Sequence, residues 1–299
     1  MPVQLSHLAS GSRYLADAQL QNVFEAFEID TSLPSEDKLN KLREVPARSL
    51  VDKIFDLKLH TFRGATDNSI IPADLVSNIH SGAFASRFKE RNMRILLGEA
   101  ETEEILYALT NPPPSSSKSE MLRALNNYYA QPVCEALLSL YTDQGAKADP
   151  RIANAFAQKD PEKAKQLFGL ITSDVQVRAP IRVLSKALFD GGVAPERVLR
   201  YRVAYRPECT DKVYPKSYGV THSADGVSWW FVERYGFSEE EKGSVKEWLG
   251  KTLIPLISGM ESAQKVGVEE FLYFKEDGSI EVVNDHSWEW LMRVAETLR

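Results

Sequence analysis

The chain has 299 residues, of which 43% are hydrophobic and 26% are charged, so its composition is that of a folded globular protein. Its formal net charge of −6 argues against nucleic acid as a partner, because binding phosphates requires an excess of lysine and arginine. No apolar run approaches the roughly 20 residues of a membrane span, and the N-terminus lacks the charged and apolar regions of a secretory signal, which leaves the cellular compartment open.

The first quarter of the chain has the pattern of helices. Residues 14–29, YLADAQLQNVFEAFEI, place apolar side chains at helical spacing. A second helix is predicted after Pro34, where Glu36 and Asp37 would face the positive end of the helix dipole, and a third is predicted after Pro46. The apolar face predicted for the first helix consists of Leu15, Leu20, Val23, Phe24 and Phe27.

A buried strand is predicted next, at residues 93–98, because MRILLG is a short apolar run that ends at Gly98. Residues 111–119, NPPPSSSKS, are predicted to form a loop. Helices are predicted for residues 121–130 and 132–141, which follow this loop.

The second half of the chain continues with helices and strands. A helix is predicted to begin at Asp160, which is a favourable N-cap residue before Pro161. Residues 175–192 are predicted to be helical up to the paired glycines at their end. Residues 198–207, VLRYRVAYRP, are rich in aromatic and β-branched side chains and give the clearest strand.

The C-terminal part combines a capped helix with a hairpin. Ser238 and Glu241 form a capping box before a long predicted helix. Residues 271–283 are predicted to form a hairpin that turns at Asp277-Gly278, and a final helix is predicted from Trp288. Strands separated by long helical stretches indicate an α/β fold with a mainly parallel sheet.

Cys134 and Cys209 are the only cysteines, which is too few for a disulfide framework. Both are predicted to be free thiols. Cys134 lies in an apolar helical run and is expected to be buried as a small hydrophobic residue.

The sequence offers no pattern for a cofactor or a metal. It contains no glycine-rich phosphate loop and no HxxxH or HExxH arrangement, so neither a cofactor nor a metal site is predicted. Its five histidines are scattered along the chain: His7, His60, His80, His222 and His286.

Two loops that follow predicted strands carry the candidate chemistry. The first comes after Gly98 and contains a cluster of carboxylates. The second has Gly219 three residues before His222 and Asp225 three residues after it. Taken alone, these residues favour a solvated acidic loop and a surface histidine. The carboxylates of the first loop are Glu99, Glu101, Glu103 and Glu104.

Together and in this order, the two loops resemble those of the type-B carboxylesterase and cholinesterase family of α/β-hydrolases. In that family, a strand ending in glycine is followed by the glutamate of a catalytic triad and, much later, by a G-x-x-H-[GS]-x-[ED] loop. The resemblance implies that Glu103, five residues after Gly98, is the triad acid and that His222 is the triad histidine. Because the residues around Glu103 depart from the family's D-E-G, the alternatives Glu101 and Glu104 stay open.

Further segments resemble the same family in the same order. They are residues 62–88, the stretch from Asp174 to Pro180, residues 198–207 and residues 277–291. The resemblance covers nearly the whole chain. It implies that residues 1–299 are a single unit and the C-terminal part of an α/β-hydrolase fold, with an incomplete, mainly parallel sheet flanked by many helices.

The nucleophile of this family is missing from the sequence. No G-x-S-x-G occurs, and in the family this serine precedes the acid and the histidine. Ser10 and Ser12 resemble a segment that follows the nucleophile, and both are expected to be ordinary loop or strand-end residues.

The resemblance implies a carboxylic-ester hydrolase that is inactive alone. Small-molecule or lipid esters are the implied substrates if an N-terminal half completes the chain. The chain could instead be a non-catalytic relative used for binding, or one half of a split esterase. Trp229 and Trp230 are expected either to line an acyl pocket or to pack beneath the histidine loop. An incomplete sheet has an open edge, so the isolated chain is expected to be marginally stable or to need a partner half.

Overall fold

The computed structural model describes residues 6–59, 68–69, 72, 74–145, 160–231, 236–259 and 264–298, and for residues 6–15 and 143–145 it describes the backbone alone. Segment 62–88, one of those that resemble carboxylesterases, lies partly outside these ranges. None of the helices within them combines the length and the apolar character that crossing a membrane requires.

A four-stranded sheet lies at the centre of the fold. Its strands are β1 (Ile95–Ala100), β2 (Val198–Val203), β3 (Glu270–Phe274) and β4 (Ile280–Asn284), in the order β1-β2-β3-β4. The β1–β2 and β2–β3 pairs are parallel, whereas β3 and β4 form the antiparallel hairpin predicted from the sequence. The prediction of a mainly parallel sheet is confirmed.

Helices occupy the connections between the parallel strands and also precede β1 and follow β4. Two π-helical turns, Leu140–Gly145 and Asp174–Arg178, extend or join longer helices. The α-helices in the described part of the chain are α1 (Ser6–Ala26), α2 (Ser35–Arg43), α3 (Ala47–Asp56), α4 (Leu75–His80), α5 (Ala83–Glu90), α6 (Glu103–Leu109), α7 (Lys118–Leu125), α8 (Gln131–Ser139), α9 (Pro161–Ser173), α10 (Ala179–Asp190), α11 (Gly226–Trp230), α12 (Glu239–Lys251), α13 (Leu253–Ser258) and α14 (Trp288–Thr297).

The predicted helix starts are confirmed wherever a cap defines them. The Asp160 carboxylate accepts the backbone N–H groups of Glu162 and Lys163 at the start of α9. The capping box of Ser238 and Glu241 is formed in full at the start of α12.

The N-terminal helix differs from its prediction in two ways. Leu20 is exposed and Gln19 is buried, so the packed face of α1 is built on Val23 and Phe24. The prediction that Leu20 belongs to an apolar face is therefore wrong. Ser10 and Ser12 lie within the backbone of α1, which corrects the prediction of a loop or strand end.

Strand β1 runs two residues further than the sequence predicted. The prediction that it ends at Gly98 is wrong, because Glu99 and Ala100 continue the parallel pairing with Arg202 and Val203 of β2. Glu99 is therefore a strand residue and not a member of the acidic loop. Its carboxylate binds two arginines, of which Arg182 is buried and Arg202 is partly buried.

Strand β2 is covered on both faces, one apolar and the other charged. Successive side chains of a strand point to opposite faces, and Leu199, Tyr201 and Val203 all pack in one hydrophobic cluster. Arg200 and Arg202 occupy the alternate positions and bind carboxylates instead. A central parallel strand is usually apolar on both faces, so this sheet depends on how well its arginines are paired.

The charged layer, defined as Glu99, Arg182, Arg200, Arg202 and Asp285, forms that second face. Arg182 of α10 donates to the Glu99 carboxylate at 2.7 Å and to Asp285 at 2.9 Å, and Arg202 Nε donates to Glu99 at 2.9 Å. Arg200 pairs with Asp285. Burial opposes ionisation, but Arg182 and Arg202 hold the pKa of Glu99 well below its usual range.

The two cysteines behave as the sequence predicted. Cys134 and Cys209 are both buried and free. Burial raises the pKa of the Cys134 thiol to about 12, so it packs as a small apolar residue rather than reacting as a thiolate. The prediction for Cys134 is confirmed.

Replacing Arg182 with methionine is expected to lower the free energy of unfolding by about 3–5 kcal/mol, because the charges of Glu99 and Asp285 would stay buried without this partner. The measurement is urea unfolding followed by circular dichroism. Lys186→Met is the matched control: it lies on the same helix in an exposed pair with Asp190 and should change stability by less than about 1 kcal/mol. Equal unfolding midpoints for the two variants would contradict the assignment of the charged layer.

Candidate active site

Glu103 and His222 are in direct contact at the carboxyl ends of two neighbouring parallel strands. Glu103 begins α6 directly after β1, and His222 lies in the loop that follows β2. Glu103 Oε2 is 2.7 Å from His222 Nδ1, although 119 positions separate the two residues in sequence. In α/β sheets this edge is where ligand and catalytic sites form.

The carboxylate of Glu103 is held in place by the backbone as well as by the histidine. Its Oε1 accepts the Ala100 N–H at 2.8 Å, and its side chain is only 4% exposed. Because both carboxylate oxygens act as acceptors, His222 Nδ1 must carry the proton that it donates to Oε2. This leaves Nε2 as the acceptor nitrogen of a neutral imidazole.

His222 is more accessible than its partner. Its side chain is 42% exposed, and Nε2 makes no hydrogen bond within the described residues. The ring of Tyr107 lies beside the imidazole, with 5.4 Å between ring centroids. The hydrogen bond that His222 donates to Glu103 raises the pKa of His222, partial burial opposes this, and the charges of Glu103 and Asp225 add to the increase.

Three hydrogen bonds connect the acid loop to the histidine loop. The Thr102 N–H donates to the Val220 carbonyl at 3.0 Å, and the Thr102 hydroxyl donates to the Tyr218 carbonyl at 3.0 Å. The Leu106 N–H donates to the hydroxyl of Thr221 at 2.9 Å. Thr102 stands where the resemblance leads one to expect aspartate, and it has a structural role of its own in joining the two loops.

Gly219 occupies a position that only glycine can fill. Its φ is 58°, and a Cβ added there would lie 2.7 Å from the hydroxyl oxygen of Thr102. A larger residue would push apart the two loops that carry Glu103 and His222.

The two alternative glutamates have other partners. Glu104 binds Arg178 at 2.6 Å. Glu101 lies against Tyr273, and burial together with this carboxylate raises the pKa of Tyr273 to about 12. Of the three acidic side chains in this loop, Glu103 is therefore the one that contacts His222.

Trp229 packs beneath the histidine loop. Its ring contacts Tyr201 at 4.8 Å and Trp248 at 5.2 Å between centroids, and its N–H donates to the Asp225 carboxylate at 2.9 Å. Burial raises the pKa of Asp225. Trp230 is instead 80% exposed, so the two adjacent tryptophans have different environments.

Sequence reasoning missed Arg178 and Thr221 as parts of this site. The spacing of four residues between Asp174 and Arg178 does suggest their ion pair, which is present at 3.1 Å. No pattern near Arg178 or Thr221 in the sequence indicates the contacts that these two residues make with the acid loop.

Among the described residues, no group of three or more histidine, cysteine, aspartate or glutamate side chains is placed to hold a metal ion.

The fold is also that of a solved structure. The chain superposes on a structure called PNB esterase with a TM-score of 0.63 and 17% sequence identity, covering 96% of this chain and 55% of the other. At this level of identity the comparison shows the fold alone. The chain therefore has an α/β-hydrolase fold, and the prediction that it forms the C-terminal part of one is confirmed.

Sequence comparison gives a closer relation. The chain is 35% identical over 281 residues to an uncharacterized esterase/lipase of Schizosaccharomyces pombe, covering 94% of this chain and 50% of the relative. It is 29% identical over 281 residues to a carboxylic ester hydrolase of Gibberella moniliformis, covering 92% and 50%. No protein-family model matches the chain. The chain is thus related to the carboxylesterases, and it spans about half the length of the curated relatives it matches.

Replacing Glu103 with glutamine is expected to lower the pKa of His222, because the variant loses the negative charge that favours the imidazolium. The measurement is a pH titration of the His222 ring by NMR. Glu101→Gln changes a neighbouring carboxylate that does not contact the imidazole, so it should leave this titration close to that of the wild-type chain. An equal response in the two variants would show that the 2.7 Å contact is not what sets the pKa.

Proposed function

We propose that this chain supplies the acid and the histidine of a serine carboxylesterase triad, with Glu103 and His222 in those roles. The observation that carries the proposal is their hydrogen bond of 2.7 Å at the carboxyl ends of two adjacent parallel strands. Burial of the acid, exposure of the imidazole and relatedness to esterases support it.

The geometry suits the two roles of a triad. A serine hydroxyl placed near His222 Nε2 would give its proton to that nitrogen as the oxygen attacks an ester carbonyl. Glu103 would hold the imidazole in the required tautomer and stabilise the imidazolium. The raised pKa of His222 supports this, since Glu103 favours the charged ring.

The substrate that this proposal implies is a carboxylic ester. Attack gives an acyl-enzyme and releases the alcohol, and water then releases the acid. Backbone N–H groups stabilise the oxyanion in such enzymes, each contributing about 3–4 kcal/mol to the transition state. These donors and the serine would come from a segment that the 299 residues do not contain, since the sequence has no G-x-S-x-G.

The open side of β1 is where we expect that segment to join. Among the described strands, β1 pairs only with β2, and no described strand pairs with its other edge. Its first three residues, Ile95, Leu96 and Leu97, are apolar and only partly buried. Parallel strands are normally covered on both sides, so a further parallel strand would complete the sheet here. We therefore propose that residues 1–299 are one unit of a larger esterase domain.

The chain alone is expected not to react with a fluorophosphonate probe, because these probes label activated serines and the histidine has none to activate. The measurement is fluorescent labelling of the purified wild-type chain beside His222→Ala. A serine that is labelled in the wild-type chain and not in the variant would overturn the assignment of an incomplete triad.

A longer chain is expected to hydrolyse esters. Joining the half of the Schizosaccharomyces pombe relative that this chain does not match to the start of residues 1–299 should give hydrolysis of p-nitrophenyl butyrate. His222→Ala should lower kcat by on the order of 10⁴-fold or more, because triad members act as a unit.

The matched control for this experiment is the double change Ser10→Ala and Ser12→Ala. Both residues lie in α1, and hydrolysis should persist without them. Hydrolysis that is indifferent to His222→Ala would contradict the proposal. A longer chain that folds, binds esters and never hydrolyses them would instead favour the non-catalytic binding module.

A further inference from the structure

Arg178 makes three contacts at the base of the acid loop. Its guanidinium donates from Nη2 to the Glu104 carboxylate at 2.6 Å and to the Glu101 carbonyl at 3.2 Å. From Nη1 it donates to the Asp174 carboxylate at 3.1 Å. The side chain is 12% exposed, so these contacts are largely shielded from water.

The far end of this arrangement is fixed by buried groups. Arg178 ends the π-helical turn that begins at Asp174 and joins α9 to α10. The Tyr141 hydroxyl donates to the other oxygen of the Asp174 carboxylate at 2.6 Å. The guanidinium is therefore bound on one side by Asp174, a residue whose own position is fixed by the hydrogen bond from Tyr141. π-Helical turns of this kind are frequent at functional sites.

Helix α9 also approaches α6 closely enough to fix its position. A Cβ added at Gly169 of α9 would lie 2.4 Å from the carbonyl oxygen of Glu104. The first turn of α6 therefore lies directly against α9, and Arg178 binds that turn from the side. Backbone packing brings this turn against α9, and the guanidinium binds residues on either side of Glu103.

Arg178 binds two of the three neighbouring glutamates, each through a different group, and does not bind the third. Glu101 is bound through its backbone carbonyl and Glu104 through its carboxylate. Glu103 lies between them and is left to contact His222. A single guanidinium can hold two acceptors at once because its N–H groups form a rigid planar fork.

We infer that Arg178 is a positioning residue, which holds the first turn of α6 in the register that places Glu103 against His222. The inference rests on the proposed function, since positioning matters to the reaction only if this pair is catalytic. Arg178 acts through Glu103, and it makes no direct contact with the imidazole within the described residues.

When Arg178 is replaced, loss of its positioning role and loss of its charge are expected to shift the pKa of His222 in opposite directions. The groups that face the imidazole are Glu103 and the Tyr107 ring from α6 and, through its charge, Asp225 from its own loop. Removing a nearby positive charge would by itself raise the pKa of His222. Loss of positioning would weaken the hydrogen bond that His222 donates to Glu103, and the pKa of His222 would fall. The direction of the shift therefore separates the two.

The experiment is an NMR titration of the His222 ring in the full chain, with folding of each variant checked by circular dichroism. Arg178→Met is expected to shift the His222 midpoint downward. Arg178→Lys keeps the charge but has fewer donors, and it should shift the midpoint downward by less. Lys186→Met, an exposed change on α10, is the control and should leave the midpoint where it is.

Arg178→Lys also gives a second route if Arg178→Met does not fold. It keeps the positive charge, so electrostatics alone would leave the midpoint at the wild-type value, whereas loss of the planar fork that binds the Glu101 carbonyl and the Glu104 carboxylate should lower it. A raised midpoint in Arg178→Met, or a wild-type midpoint in Arg178→Lys, would overturn the inference. The titration requires no ester hydrolysis, so its outcome is independent of whether the longer chain proves to be an esterase.

Discussion

The parallel pairing of β1 with β2 is the constraint on which the rest of the structure depends. The two strands are aligned from Ile95 opposite Val198 to Ala100 opposite Val203, so the loops that follow them emerge side by side. Glu103 begins the helix that follows β1, and the long loop that follows β2 returns to the same edge, where the Thr102 N–H donates to the Val220 carbonyl and His222 meets Glu103. A shift of one residue in this register would turn the side chains of one strand to the opposite face and separate the pair.

The same pairing requires arginines where a parallel sheet usually has apolar residues. Glu99 on β1 lies opposite Arg202 on β2, and Arg182 completes the neutralisation from the helix above. Arg182 also donates to the backbone carbonyl of Arg178 at 2.8 Å. The helical segment that contains both residues places Arg182 against the sheet. One turn earlier in the chain, it places Arg178 against the acid loop. The stability of the sheet and the geometry of the site are coupled through these two residues.

The relation to carboxylesterases is the reason for proposing an esterase role for this geometry. The matched relatives are about twice as long as this chain, and the acid–histidine pair is arranged here without a serine elbow in the sequence. The pair does not depend on the nucleophile for its shape, because the hydrogen bonds that hold Glu103 and join its loop to the histidine loop all lie within residues 100–222. Strand register and the hydrogen bonds between the two loops, some of them made by side chains, arrange the pair.

The sequence alone determined the local elements of this protein. The caps at Asp160 and Ser238, the hairpin turn at Gly278 and the strand at residues 198–203 follow from patterns within a few residues, since caps and turns are satisfied by near neighbours. The resemblance to carboxylesterases also pointed to His222 and to Glu103, with Glu101 and Glu104 left open as alternatives.

Only the tertiary structure decided which partner each of the neighbouring carboxylates binds. Four glutamates between positions 99 and 104 have the same chemistry. Glu99 was assigned to a strand, Glu103 to the histidine and Glu104 to Arg178 by partners 74 to 119 positions away. The burial of Gln19 in place of Leu20 has the same origin. A charged or amphipathic side chain takes its role from what the fold brings to it, and no short-range pattern contains that information.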